Sequence, residues 1–295
     1  MFGTGISAGI NFDQFDKIEV KVTGDDIEEI LPLKDFETSG LRDFLMANVK
    51  RSGYTKPTPI QKYAIPIITA NRDLMGCAQT GSGKTAAFIL PILDKIMKGN
   101  DVSTPGQPLC LIIAPTRELV IQIFEEARKF AIKSWVKVAI AYGGTASRNQ
   151  GENIAKGCHI LVATPGRLMD YVGKSIITFE SLKYFVLDEA DRMLDMGFKT
   201  NIDEIAKHPT FNKESCQTLM FSATFPDEIQ RLASTYLKKY VYLAVGIVGG
   251  ASSDVDQEFI EVDKFKKRAK LAVSSLSFDF NFYSIFVFSL PGNSG

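Results

Sequence analysis

The chain has 295 residues, 45% of them hydrophobic and 23% charged, with 34 Lys and Arg balanced by 34 Asp and Glu. This is length for one large domain or two small ones and apolar content for a sizeable core, while a net charge of zero exerts no global pull on nucleic acid yet permits a locally basic groove. No uncharged apolar run reaches the roughly 18 residues of a membrane span, and no basic segment followed by an apolar stretch opens the chain, so neither a membrane anchor nor a secretory leader is expected.

Residues 1–35 begin with Gly3, Gly5 and Gly9 and read as an extended, loosely packed N-terminal arm. A domain is expected over 36–245. Leu41, Leu45 and Val49 recur at helical spacing, with Gly53 as a stop. Strands are predicted at 73–78, 109–114, 136–141, 159–163, 184–187 and 218–221, and helices between and after them, among them 117–133 and 227–237. Alternating strand and helix implies an α/β fold, a parallel sheet with helices on both faces. Ligands of such sheets bind beyond the carboxyl ends of the strands.

Residues 246–253 are small and read as a flexible linker, 254–271 as the opening of a second domain, and 272–295 as an atypical aromatic tail. Lys264, Lys266, Lys267, Arg268 and Lys270 form a basic cluster, read as a solvated helix face or a weak nucleic-acid signal. Cys77, Cys110, Cys158 and Cys216 are scattered without a CxxC pair. They are expected to be buried reduced thiols, which suits a cytoplasmic setting.

Two segments carry chemistry. Ala78-Gln-Thr-Gly-Ser-Gly-Lys-Thr85 follows an apolar strand and opens a helix, as a P-loop does, with Ala78 in place of the first Gly. Gly81 and Gly83 allow backbone N–H groups to converge on phosphate oxygens, and the helix N-terminus adds a favourable dipole. Lys84 would reach the β and γ phosphates and Thr85 would offer a hydroxyl to Mg²⁺, with Thr80 and Ser82 completing the cradle. Farther on, the predicted strand 184–187 ends in Asp188-Glu189-Ala190-Asp191. An Asp at that place can hold Mg²⁺ and a neighbouring Glu can orient and deprotonate an attacking water. Acidic residues also open many helices simply because they complement the dipole.

GSGKT and DEAD in this order resemble the DEAD-box RNA helicases, and the other segments of that family's first lobe are present in sequence. Lys56-Pro-Thr-Pro-Ile-Gln61 with Phe36 upstream is similar to the adenine-reading segment. The resemblance implies that Gln61 reads the base edge, having both a donor and an acceptor, and that Phe36 stacks over it. Pro115-Thr116-Arg117, Gly143-Gly144 and Thr164-Pro165-Gly166-Arg167 resemble the RNA-contacting segments. Such contacts run mainly to phosphate and 2′-hydroxyl and are sequence-independent. Ser222-Ala-Thr224 resembles the segment that couples hydrolysis to RNA rearrangement, its hydroxyls bonding Asp188 and Asp191. The arm, the stretch 188–198 and the linker look most like the Vasa branch, whose members act in germ cells, with the translation-initiation branch next.

The implied fold is a RecA-like P-loop NTPase domain; the implied cofactors are ATP and Mg²⁺, the partner RNA. The family has a second lobe of similar size, bearing arginines that complete the ATP site and are worth about 10³–10⁵ in rate. Only residues 254–295 follow Ser253 here, so the expectation is one lobe whose activity needs the other. The alternative is a non-catalytic module that binds nucleotide, RNA or a partner. The aromatic run 278–288 resembles no part of the family: it reads as an alternative ending, a strand that pairs with something, or an anchor.

Overall fold

The computed structural model describes residues 18–99, 101–144 and 147–249, together with Lys266. The start of the arm, the end of the linker, the opening of a second domain and the aromatic tail lie outside the described residues. Among the described residues eight strands form one sheet: β1 (Val20–Thr23), β2 (Leu74–Cys77), β3 (Cys110–Ile113), β4 (Val138–Ala141), β5 (Ile160–Ala163), β6 (Tyr184–Leu187), β7 (Gln217–Ser222) and β8 (Val241–Val245). Their order is β1-β8-β2-β7-β6-β3-β5-β4. Strands β2 to β8 pair parallel, and β1 adds antiparallel to β8 with Val20 opposite Val245.

The central strands are buried on both faces, which is why they read as unbroken apolar runs. Successive residues still divide by face: Cys110 and Ile112 join one core layer, Leu111 and Ile113 the other. The first layer is closed by α1 (Asp43–Arg51), α2 (Pro59–Thr69), α3 (Lys84–Lys98) and α4 (Arg117–Phe130) through residues such as Leu45, Ile60, Phe88 and Ile123. The second is closed by α5 (Ser147–Ala155), α6 (Pro165–Gly173), α7 (Ala190–Asp195), α8 (Lys199–Ala206) and α9 (Asp227–Tyr236) through Ile154, Leu168, Met193, Ile202 and Ile229. Each such side chain, fully buried, contributes about 1.5–3 kcal/mol. At the amino ends of the strands Asp73 ties three of them: its carboxylate accepts Thr218 N at 2.9 Å and Lys238 N at 2.7 Å.

The four cysteines are buried and free. Burial pushes the Cys77, Cys158 and Cys216 thiols up to about 12, and Cys110 well up also, so they serve as packing groups. Among the described residues no helix is long and apolar enough to cross a membrane.

Four stretches differ from the sequence expectation, one being β8 (Val241–Val245), a strand that is not among the predicted ones. The arm is not loose from Ile18 onward: β1 extends the sheet, and Ile18, Val20, Val22, Ile27, Ile30 and Leu33 pack on the core. Its alternation of Val20 and Val22 with Lys21 and Thr23 is the strand signal. Helix α4 ends at Phe130, short of residue 133, because the Asn48 amide donates to the carbonyls of Phe130 and Ile132, each at 2.8 Å, and Lys133 turns left-handed. The linker's first residues are tied down, with Gly246 N donating to Glu19 O and Gly249 N to Ala223 O.

Candidate functional site

Each parallel strand from β2 to β7 delivers one of the predicted segments at its carboxyl end, and the strand order sorts them. The adjacent trio β2, β7 and β6 carries the Gly-rich loop, Ser222-Ala-Thr224 and the acidic turn. The adjacent trio β3, β5 and β4 carries Thr116-Arg117, Thr164–Arg167 and Gly143-Gly144.

In the Gly-rich loop, Gly81 and Gly83 are left-handed, at φ 82° and 89°. Gly83 is constrained twice: a Cβ there would stand 2.5 Å from Gln61 Nε2, while one at Gly81 would meet open space. The ammonium of Lys84 is folded into the loop, donating to Ala78 O at 2.7 Å and Gln79 O at 3.2 Å. Ser82 Oγ is buried with no partner among the described residues. Thr80 is exposed and Thr85 half-buried at the mouth of the loop. Behind it, Gly76 lets β2 lie against the Phe221 ring, 2.7 Å from where a Cβ would be.

Gln61 is fully buried, and both ends of its amide are engaged: Oε1 accepts Thr58 N at the start of α2, and Nε2 donates to Gly83 O, each at 3.0 Å. The side chain therefore joins α2 to the Gly-rich loop. Phe36 is 2% exposed and lies edge-on to Tyr54, with centroids 6.4 Å apart. Its ring belongs to the core layer under α1 and presents almost no surface to a base.

The acidic turn is tightly built. Asp188 is buried at the end of β6, and burial raises its carboxyl to about 6; Glu189 and Asp191 push the same way, while Lys84 and the Glu189 N–H oppose them. Glu189 is left-handed at φ 53°, and its carboxylate pairs with Arg192 at 2.8 Å. Asp191 Oδ2 accepts three bonds, from Ala223 N at 3.1 Å, Thr224 N at 3.0 Å and Thr224 Oγ1 at 2.9 Å. The expected pairing with Asp191 is thus made by Thr224. Ser222 Oγ instead accepts Thr224 N at 3.4 Å.

On the other trio, Thr116 caps α4 by accepting Leu119 N, and Pro115 is buried beneath it. The Arg117 guanidinium is exposed and lies over Gly144, where a Cβ would fall 2.6 Å from it. Two predicted segments therefore meet there. Gly143 and Gly166 have no neighbour within 4 Å of a Cβ position, which leaves backbone open to a ligand. Thr164 and Pro165 open α6, and Arg167 lies over the Tyr171 ring at 5.6 Å with Asp170 at 4.0 Å. Two further contributors lie outside the predicted segments' named residues, of which only Arg192, at i,i+3 from Glu189, carried a spacing signal. Gln150 of α5 accepts Tyr142 N at 3.0 Å and so shapes the turn before Gly143, and Arg192 holds Glu189.

The residues fit a nucleoside triphosphate with a divalent cation. Gly81 is left-handed with open space before it, and the nearby Lys84 ammonium is bonded to loop carbonyls among the described residues. The neighbouring carboxyl is raised by burial, the state a cation would reverse. Fold and site together define a RecA-like P-loop lobe. The DEAD/DEAH box helicase family profile matches residues 58–232, and the chain belongs to that family. ATP-dependent RNA helicase vasa of Drosophila melanogaster is 56% identical over 271 residues, covering 92% of this chain and 40% of that protein. Probable ATP-dependent RNA helicase DDX4 of Homo sapiens is 53% identical over 89% of this chain and 37% of its own length. The chain thus spans about two fifths of these relatives. Among solved structures, RNA-helicase Prp28 from Chaetomium thermophilum bound to ADP superimposes with a TM-score of 0.70 at 39% identity, over 88% of this chain and 61% of that one.

Proposed function

We propose that this chain is the nucleotide-binding, RNA-facing lobe of an ATP-dependent RNA helicase that uses Mg·ATP and RNA to remodel RNA duplexes. The observation that carries the reading is the sorting of segments along one sheet edge, with the phosphate and acidic elements on β2, β7 and β6 and the open arginine and glycine elements on β3, β5 and β4. The two kinds of ligand would lie side by side on one rigid sheet.

In this reading Thr80–Thr85 hold the phosphates, with Lys84 exchanging its loop carbonyls for phosphate oxygens. Thr85 and Asp188 would hold Mg²⁺, which supplies charge neutralisation on the phosphates when bound. Glu189 takes a proton from the attacking water, after its pairing with Arg192 is loosened. Gln61 reads the adenine by releasing Gly83 O or Thr58 N, so that base recognition is felt in the loop. Phe36 covers the base only if its ring turns out of the core. Pro115, Thr116, Arg117, Gly143, Gly144 and Thr164–Arg167 hold the RNA backbone. Asp191 and Thr224 link the acidic turn to Ser222-Ala-Thr224 and couple the two halves. The likeness to vasa further supports a place in germ-cell cytoplasm.

The test is Mg·ATP hydrolysis by the purified chain with and without single-stranded RNA, beside Glu189→Gln. RNA-stimulated turnover that disappears in the variant supports a self-sufficient enzyme. Nucleotide binding without turnover supports a lobe that hydrolyses only with its second lobe. Failure to bind nucleotide at all would sink the reading.

A further inference from the structure

We infer that the side of α2 turned away from the Gly-rich loop, together with arm residues 22–31, is a docking groove for a positively charged peptide segment of another protein, anchored by one bulky apolar side chain. A cavity of about 140 Å³ opens there between the arm and the helix, lined by Val22, Ile27, Ile30, Tyr63 and Ile67. Tyr63 and Ile67 stand one helical turn apart on a single face of α2. Gln61, two residues from Tyr63, faces the loop on the opposite side through its bond to Gly83 O. The groove is therefore separate from the nucleotide site, though carried by the same helix.

Its size selects the anchor. An engineered apolar cavity of about 150 Å³ in another protein takes up benzene, so this one suits a single Phe- or Leu-sized side chain. Next to Ile30 in sequence, Leu31 is 74% exposed and adds apolar surface.

The rim selects the rest of the occupant. Asp25, Asp26, Glu28 and Glu29 are all exposed and interleave in sequence with the lining Ile27 and Ile30. The local backbone makes this separation: Asp26 turns left-handed at φ 53°, and Ile30 N donates to Ile27 O at 3.0 Å. The downstream arm is pinned when Leu33 N donates to Lys62 O at 2.9 Å. Over residues 18–35 six carboxylates stand against two ammonium groups, Lys21 and Lys34. Arg72, a cation that reaches the arm, spends its guanidinium on the backbone carbonyls of Asp25 and Lys239. An apolar slot inside an anionic rim is complementary to a Lys- or Arg-rich segment with one apolar anchor. It repels the phosphates of RNA and of anionic lipid.

A fluorescein-labelled peptide Lys-Arg-Lys-Phe-Lys-Arg-Lys, titrated with the whole chain and followed by fluorescence polarisation, tests this. The peptide is expected to bind and to weaken by about tenfold or more, roughly 1.4 kcal/mol, in three cases. These are its own Phe→Ala version, added salt, and a protein carrying Asp25→Asn, Asp26→Asn, Glu28→Gln and Glu29→Gln. Those four side chains are exposed, so the variant is expected to keep its fold, checked by circular dichroism. Equal binding by the Phe→Ala peptide would leave only non-specific charge attraction and overturn the groove. So would equal binding by the neutralised protein or no binding by the parent.

Discussion

The two halves of the carboxyl edge are built on opposite principles. On β2, β7 and β6 the polar groups are buried or half-buried and already bonded to one another: Lys84 to loop carbonyls, Gln61 to Gly83, Asp191 to Ala223 and Thr224. On β3, β5 and β4 the groups are Arg117, Gly143, Gly144 and Gly166, mostly at the surface, with open space before Gly143 and Gly166 and Arg117 over Gly144. A site for a compact, highly charged ligand gains from donors fixed in advance in a low-dielectric recess. A track for a polymer gains from exposed, interchangeable contacts, each of small effect. If that contrast is right, single substitutions should act strongly and selectively on the first half and weakly and additively on the second.

The strongest challenge is Lys84→Ala. It removes the one ammonium inside the Gly-rich loop, and Mg·nucleotide affinity is expected to fall by about 10²-fold or more, measured by titration with a fluorescent nucleotide. A loss no larger than that of a surface lysine would erase the contrast.

Asp188→Asn sharpens the same point through stability. The Asp188 carboxyl stands at about 6, above the ordinary 3.8, because burial disfavours its charge. The folded state therefore favours the protonated form. That contribution is complete below about pH 4 and lost as pH rises through about 6. Without metal or nucleotide, the neutral Asn variant is expected to be more stable than the parent above pH 6, by up to about 3 kcal/mol. The gain should shrink toward pH 4 in thermal melts taken across that range. Melts that superimpose at pH 8 would mean the carboxylate is already compensated by Lys84.

Thr224→Val probes the seam. It deletes the 2.9 Å bond to Asp191 while leaving the two backbone donors in place. The expected loss is about 1 kcal/mol of stability by denaturant titration, with nucleotide affinity unchanged and RNA stimulation of turnover reduced. Unchanged stimulation would remove Thr224 from the coupling.

How much of this was legible in the chain also differs between the halves. Gly81, Gly83, Lys84, Asp188 and Glu189 could be read from residue types alone, because phosphate and Mg²⁺ chemistry restrict both type and spacing. Arg117, the Gly143-Gly144 pair and Arg167 emerged only through likeness to a family, since an arginine or a glycine turn after a strand is chemically unspecific. Six of the eight strands were foreseen from their apolar runs. β8 carries the same signal in Val241–Val245, and β1 showed it as a period-two alternation within a segment read as a loose arm. The engagement of Gln61 with Gly83 and the burial of Phe36 depend on tertiary contacts that no local pattern encodes, whereas the pairing of Glu189 with Arg192 is a local i,i+3 contact whose spacing stands in the sequence.

The smallest effect is the one that decides whether the second half is a track. Arg117 is exposed, lies over Gly144, and has Glu118 at 3.8 Å as a neighbouring charge. A single phosphate contact of this kind contributes little by itself and releases about one counterion. Arg117→Ala should therefore weaken single-stranded RNA binding by roughly three- to tenfold at low salt, whatever the sequence of the RNA. It should also lower the slope of log affinity against log salt by about 0.7, with Mg·nucleotide affinity untouched. A loss confined to particular RNA sequences would mean that Arg117 reads bases. An equal loss of nucleotide affinity would mean that the two halves of the edge are one site and that their separation along the sheet carries no functional division.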